Sequence, residues 1–354
     1  MKKRLLLFIL VVLFNFTLFA TEIHYQEKDD IFTEADNITL YTGKGKCEFT
    51  VEGKKYIYDG DFLNGKLNGK GVVYFGAGDK YEGLFVNNKM EGQGTLYLTN
   101  VFRYEGLFVD DNMEGQGILY LANGSRLEGQ FVGSKLNGKG IYYDKDGSRY
   151  EGQFKDGNME GLGTLYFING DIYEGQFVND KVEGKGILHY DNGSRYEGQF
   201  VNNLCEGQGI VYLANGVIGY KGQFVNDTFE GQGIYYYKDG SRYEGTFVNG
   251  EMEGQGIIYY KNGNRYEGEF LNNKINGQGS IYLANGQLLY KGQFLNNKME
   301  GQGILHYDDG SKYEGQFVNG KFNGQGIYYD EDGSRYEGQF EDGVFYNPDG
   351  SIIE

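Results

Sequence analysis

The sequence predicts an all-β fold, an elongated single-layer antiparallel sheet of stacked β-hairpins, and three observations carry that prediction. The triplet Tyr-Glu-Gly or a close variant starts at Tyr58, Tyr81, Tyr104, Leu127, Tyr150, Tyr173, Tyr196, Tyr220, Tyr243, Tyr266, Tyr290, Tyr313 and Tyr336, a period of 23 residues that lengthens to 24 at two steps. Within a unit the side chains alternate: Tyr150, Gly152 and Phe154 fall on one face of a strand, Glu151 and Gln153 on the other. Asn-Gly or Asp-Gly recurs at Asn123, Asp146, Asn169, Asn192, Asn215, Asp239, Asn262, Asn285, Asp309 and Asp332, pairs that readily adopt the positive φ angles of tight hairpin turns.

The order of elements begins with a leader. Lys2, Lys3 and Arg4 precede an apolar run from Leu5 to Leu13 that continues to Ala20, the pattern of a signal peptide over residues 1–20 cleaved after Ala20. Leu18 is larger than the small residue usual at that position, which leaves an uncleaved N-terminal anchor open. Export follows in either case, to a periplasmic, extracellular or cell-surface location. Residues 21–57 form an N-terminal cap that ends in a partial repeat, residues 58–335 hold about twelve repeats, and residues 336–354 are a truncated repeat and C-terminal cap. Caps are needed because exposed sheet edges recruit other chains.

One unit reads as a strand over Tyr150 to Phe154, a polar loop to Gly161 and a second strand through Gly163, Leu165 and Tyr166. A hairpin this short cannot bury a core alone, so units must stack edge to edge. Each Tyr and Phe is then expected to pack on the glycines of its neighbour, with Gly-x-Gly pairs such as Gly115 and Gly117 leaving room for a ring from the adjacent unit. The two 24-residue steps each carry one extra residue after Asn215-Gly216 and Asn285-Gly286.

This unit, Tyr-Glu-Gly-x-Phe followed by Gly-x-Gly-x-x-Tyr, resembles the MORN (membrane occupation and recognition nexus) repeat, and the resemblance covers nearly all of the chain beyond the leader. It implies a single-layer elongated sheet, protein scaffolding or dimerisation, and an affinity for phospholipids.

Charge narrows the partners. Beyond the leader's three bases, 30 Lys and Arg stand against 50 Asp and Glu, a net charge of −20. Such a surface repels phosphate backbones and anionic headgroups, which excludes nucleic acid and disfavours charge-driven lipid binding.

Catalysis in a repeat protein would show as a departure confined to one or two units, and none of the departures assembles a site. His189 and His306 stand where other units place Tyr and read as aromatic fillers. Cys205 takes the loop position of Met159, Val182, Phe229, Met252 and Ile275, a small apolar substitute. Cys47 and Cys205 lie about seven units apart and are not expected to form a disulfide. Asp144-Lys145-Asp146-Gly147 and Asp330-Glu331-Asp332-Gly333 faintly resemble calcium loops but lack the remaining ligands. The recurring acids at Glu82, Glu105, Glu128, Glu151, Glu174, Glu197, Glu244, Glu267, Glu314 and Glu337 read as a solvated face, with Arg two residues earlier in most units able to form cross-strand ion pairs. Lys221 and Lys291 replace the acid in the two lengthened units.

No catalytic, cofactor-binding or metal-binding residue is therefore assigned, and no cofactor. The expected function is that of a non-catalytic scaffold or interaction protein, an acidic sheet whose aromatic stripe binds a partner protein or a second copy. The alternative is a ligand-binding module for cell-wall glycan or membrane lipid, in which Tyr235, Tyr236 and Tyr237 stack on the ligand.

Overall fold

A computed structural model describes residues 24–27, 30–32, 42–51, 54–76 and 78–346. The leader, much of the N-terminal cap and residues 347–354 lie outside the described residues. Two compact units are present, residues 1–184 and 185–354. Every regular element among the described residues is a β-strand.

In the first unit, strands pair antiparallel in chain order from Gly43–Val51 and Lys54–Leu63 to Ile172–Val178. Ahead of them, His24–Glu27 pairs with both Asp30–Phe32 and Gly43–Val51, so a short hairpin continues the ladder at that edge. In the second unit the same ladder runs from Arg195–Val201 to Val344–Tyr346. Each unit is a single layer of hairpins, as the 23-residue period predicts.

The turns are built differently from the expectation. Arg149–Lys155 and Asn158–Tyr166 are joined by Asp156 and Gly157 alone, with φ of 52° and 90°. The stretch up to Gly161, expected to be a loop, belongs to the second strand. Other units use Asn-Asn, Asn-Asp or Asp-Asp here, as at Asn87-Asn88 and Asn226-Asp227, with both residues at positive φ as a type I′ turn requires. The short polar side chains of Asn and Asp tolerate this region where bulkier ones do not. At the opposite edge, in the Asn-Gly and Asp-Gly turns, only the glycine has positive φ. The Asn or Asp before it accepts a hydrogen bond from the amide two residues on, as Asp146 does from Ser148 (2.8 Å) and Asn192 from Ser194 (2.9 Å).

The core of a one-layer sheet has to be made on one face, and ring geometry makes it. Tyr243 is fully buried, its ring laid over Gly245 of its own strand and Gly256 of the paired strand. A Cβ at Gly245 would sit 2.3 Å from the Tyr243 hydroxyl and 2.9 Å from the Gly256 Cα. The glycines thus receive the ring of their own unit, not that of the adjacent one. Neighbouring units meet through the phenylalanines: Tyr243 is edge-on to its own Phe247 at 5.2 Å and to Phe270 of the next unit at 4.8 Å. The zigzag repeats along each unit, and each such pair is worth about 0.5–1.5 kcal/mol beyond the area it buries.

The phenol explains why the ring is Tyr. After Gly245 the register shifts, so that Thr246 faces Glu253 while Gly245 faces Gly256. Gly254, within the offset, has a φ of 65°. The Tyr243 hydroxyl donates to the Thr246 carbonyl at 3.0 Å, and Tyr150, Tyr196 and Tyr290 do the same for the residue three positions on. Where the triplet begins with Leu127 there is no phenol, and Gly129 takes a φ of 150° that its counterparts lack.

Candidate interaction surface

Burial separates the two faces of each unit. The triplet tyrosines Tyr81, Tyr104, Tyr150, Tyr196, Tyr243 and Tyr290 and the following phenylalanines are buried, which corrects the expectation that they form an exposed binding stripe. Burial also raises the phenols above their ordinary range, to about 12 for Tyr173, Tyr220, Tyr243, Tyr290 and Tyr313. Met159, Val182, Cys205, Met252 and Ile275 lie on this face too, in strands and not in loops. Phe229, at the same position, stacks on Tyr220 at 3.7 Å. Cys47 and Cys205 are both buried free thiols, and burial pushes Cys47 up to about 12, far from a reactive thiolate.

The opposite, open face carries the polar residues in rows. Arg195, Arg242 and Arg265 pair with the acid two residues along their own strand, Glu197 (2.6 Å), Glu244 (2.7 Å) and Glu267 (2.5 Å). These pairs lie within a strand and not across strands as expected. Across the ladder each guanidinium lies over a tyrosine ring instead: Arg195 over Tyr212 at 3.8 Å, Arg242 over Tyr259 at 3.9 Å, Arg265 over Tyr282 at 4.0 Å. The Arg and Glu positions follow from the repeat pattern, but the stacking needs the register. His189 and His306 end their strands at the position held by Tyr166 and Tyr282, and His306 faces Lys312.

A second row, not apparent from the repeat pattern, comes from the middle residue of each Gly-x-Gly and the residue after each triplet. In the second unit the facing pairs are Gln208 with Gln223, Gln232 with Thr246, Gln255 with Glu269, Gln278 with Gln293, Gln302 with Gln316 and Gln325 with Gln339. In the first unit they are mixed: Lys70 with Leu84, Gln93 with Leu107, Gln116 with Gln130, Lys139 with Gln153 and Leu162 with Gln176. The signal is present in the sequence but becomes visible only when the strands are aligned.

This glutamine row edges an open trough of about 800 Å³ in the second unit. Glycines such as Gly233 and Gly256 floor it, Ile234, Ile257 and Ser280 line it with the acids Glu244, Glu267 and Glu269, and Lys221 and Lys291 stand among its outermost residues. Both lysines are exposed and, among the described residues, neither ammonium has an ion-pair partner. Their units depart from the pattern in backbone as well. Tyr212 faces Ile218 while Val211 faces Tyr220, leaving Gly219 as a bulge; Tyr282 faces Leu288 while Ile281 faces Tyr290, leaving Leu289. The extra residue sits inside the strand, not in the turn after Asn-Gly. Ile218 and Leu288 stand opposite Tyr212 and Tyr282, the place that Arg242 holds opposite Tyr236, so each bulged unit carries a lone Lys where its neighbours carry a pair of a base and a Glu.

The two calcium-like loops are explained by turn chemistry. Asp146 and Asp332 accept the Ser148 and Ser334 amides, and Asp144 accepts the Ser125 hydroxyl. Among the described residues no three His, Cys, Asp or Glu side chains group as a metal site. Of the Tyr235, Tyr236 and Tyr237 run, Tyr235 and Tyr237 pack edge to face at 5.0 Å and Tyr236 faces Arg242, so the run does not form one stacking platform.

The MORN repeat model matches residues 58–80, 81–100, 104–126, 128–149, 150–172, 173–195, 196–218, 220–242, 243–265, 266–288, 290–312 and 313–335. The chain belongs to the MORN repeat family. MORN repeats are a non-enzymatic repeat family, in general modules for interaction with proteins or membranes. No curated protein matches the chain. Among solved structures, a mutant TCP10 domain of CPAP from Danio rerio is 12% identical, with 63% of this chain and 99% of that one covered and a TM-score of 0.23. The SAS-4 TCP domain of Drosophila melanogaster, in complex with a proline-rich motif, is 13% identical over 58% of this chain and 85% of its own, at a TM-score of 0.20. A catalytically inactive virginiamycin B lyase from Staphylococcus aureus is 14% identical over 68% and 74%, at 0.13. Likenesses at these scores say nothing of what this chain does.

Proposed function

We propose that this MORN-repeat chain is a non-catalytic interaction protein that works outside the cytoplasm and holds a partner against the open face of its second unit. The observation that carries this reading is the division of labour between the faces. The ring face is consumed in making the core, while the open face holds a regular amide row beside a glycine-floored trough. A row of exposed side chains contributes little to folding, so its uniformity over residues 208–339 calls for a partner. The leader over residues 1–20 supports export.

The test is a quadruple substitution of Gln208, Gln232, Gln255 and Gln278 to Ala in the chain over residues 21–354. Binding to arrays of extracellular matrix glycans and peptides, and self-association by light scattering, are compared with the parent. Loss of an interaction with thermal unfolding unchanged supports the reading. Interactions that all survive the substitution contradict it.

A further inference from the structure

The two bulged units frame the trough, and we infer that the segment from Lys221 to Lys291 is a subsite for an extended acidic glycan, with its carboxylates on the two lysines and its hydroxyls on the glutamine row. The inference rests on the reading of the open face as a binding surface and adds the ligand's chemistry and length.

Charge comes first. In an ordinary unit the acid of the open row is neutralised by the Arg two residues before it, as Arg242 neutralises Glu244 and Arg265 neutralises Glu267. In the two bulged units the Arg place opposite the strand-end tyrosine is taken by Ile218 and Leu288, and the acid is replaced by Lys. With Glu244 and Glu267 paired to Arg242 and Arg265, the trough is left with the two lysines Lys221 and Lys291 against one acid outside those pairs, Glu269, in a chain of net charge −17. Two coincident departures, repeated three units apart and both lining one trough, are not what drift of a scaffold position produces.

Spacing comes second. Adjacent strands lie about 4.8 Å apart, so one hairpin advances about 9.6 Å. One strand step is close to the length of one pyranose residue in an extended 1,4-linked chain, so each sugar would meet one strand and one side chain of a row in which Gln223, Gln232, Gln255, Gln278 and Gln293 are amides and Thr246 and Glu269 are not. Lys221 and Lys291 are separated by six strand steps, so the end carboxylates of a hexasaccharide, five steps apart, come within one strand step of both lysine positions. An extended peptide advances about 3.3 Å per residue and alternates its side chains, so it falls out of phase with the strands within one hairpin.

Hydrogen-bonding capacity comes third. Each glutamine amide both donates and accepts, as does each sugar hydroxyl. The row is built for such exchange: Gln325 donates to Gln339 at 2.9 Å and Gln232 to the Thr246 hydroxyl at 2.7 Å. Since the nearby tyrosines carry an Arg on one face, recognition is polar and not by ring stacking.

The experiment is calorimetric titration of residues 21–354 with a 1,4-linked hexa-uronate, its trimer and a neutral 1,4-linked glucose hexamer, at low salt and at about 0.15 M salt. Parallel titrations use Lys221→Gln with Lys291→Gln. The hexa-uronate is expected to bind more tightly than the trimer and the neutral hexamer, to weaken with salt, and to weaken about fivefold to tenfold in the double variant. Absence of hexa-uronate binding, or binding that the double variant leaves unchanged, overturns the proposal. A polyglutamate of equal span, titrated in the same way, separates the two failures. If it binds in a lysine-dependent manner where the uronate does not, the glycan assignment falls and the trough remains an interaction surface.

Discussion

The two units use one core and two different open faces. Tyr81 of the first and Tyr243 of the second are alike in detail: fully buried, laid over two glycines, edge-on to their own and the next phenylalanine. Across the sheet the row of Arg–Glu pairs and Arg–Tyr stacks also recurs in both units, as at Arg103 and Arg242, but the second row differs. Where the first unit places Leu84, Leu107 and Leu162, the last 63% exposed, the second places Gln223, Thr246 and Gln278 in equivalent rows. Positions held by ring packing or by the Arg–Glu and Arg–Tyr contacts repeat in both units, and the row free of both differs. Uniformity on the unconstrained face is therefore the better guide to function than uniformity in the core.

The largest expected effect comes from breaking what the units share. Gly83→Ala in the first unit and Gly245→Ala in the second each drive a Cβ to 2.3 Å from a phenol oxygen with backbone behind it. Each is expected to cost about 2–3 kcal/mol in chemical denaturation. Gln255→Ala, on the open face, should stay within about 0.5 kcal/mol. A glycine substitution tolerated in one unit only would show that the cores are not equivalent.

Alkali should act on the same rings. A buried phenol with a folded pKa of about 12, against about 10 when unfolded, stabilises the fold fully below about pH 10, and that stability is lost as pH rises towards about 12. Tyrosinate absorbance followed together with circular dichroism should show exposed rings titrating first and buried ones ionising as the sheet unfolds.

Smaller effects sharpen the edges of the comparison. Arg242→Lys keeps a cation near Glu244 but loses the planar stack on Tyr259 and is expected to cost about 0.5–1 kcal/mol. Smallest of all, Asp111 and Asp180 are half-buried turn carboxylates whose pKa burial raises, though each accepts an amide hydrogen, from Met90 and Met159. Their raised pKa means that the contribution to stability is present at low pH and lost as pH rises through the folded value. Asp180→Asn, matching the native Asn273 and Asn297, should therefore stabilise the chain slightly at about pH 7, with the gain vanishing below about pH 4.

Much of this is legible in the sequence, because period, alternation and the Tyr, Gly and Phe positions follow from covalent order alone. The I′ turns escape a reading of the pattern because pairs such as Asn87-Asn88 and Asn226-Asp227 lack the glycine that usually announces them, yet all four residues reach positive φ without it. The Arg–Tyr stacks and the glutamine row are cross-strand facts, fixed by a register that the bulge after each triplet shifts. Lys221 and Lys291 are conspicuous as departures, but only the paired strands place them along one trough.

The central claim is that the tyrosine face is interior and the other face is left for partners. Nitration of native protein, read out by peptide mass spectrometry, tests it most directly. Tyr81 and Tyr243 should remain unmodified while Tyr74 and Tyr260, exposed at 44% and 36%, react readily. Modification of Tyr81 and Tyr243 at the rate of Tyr260 would contradict the account.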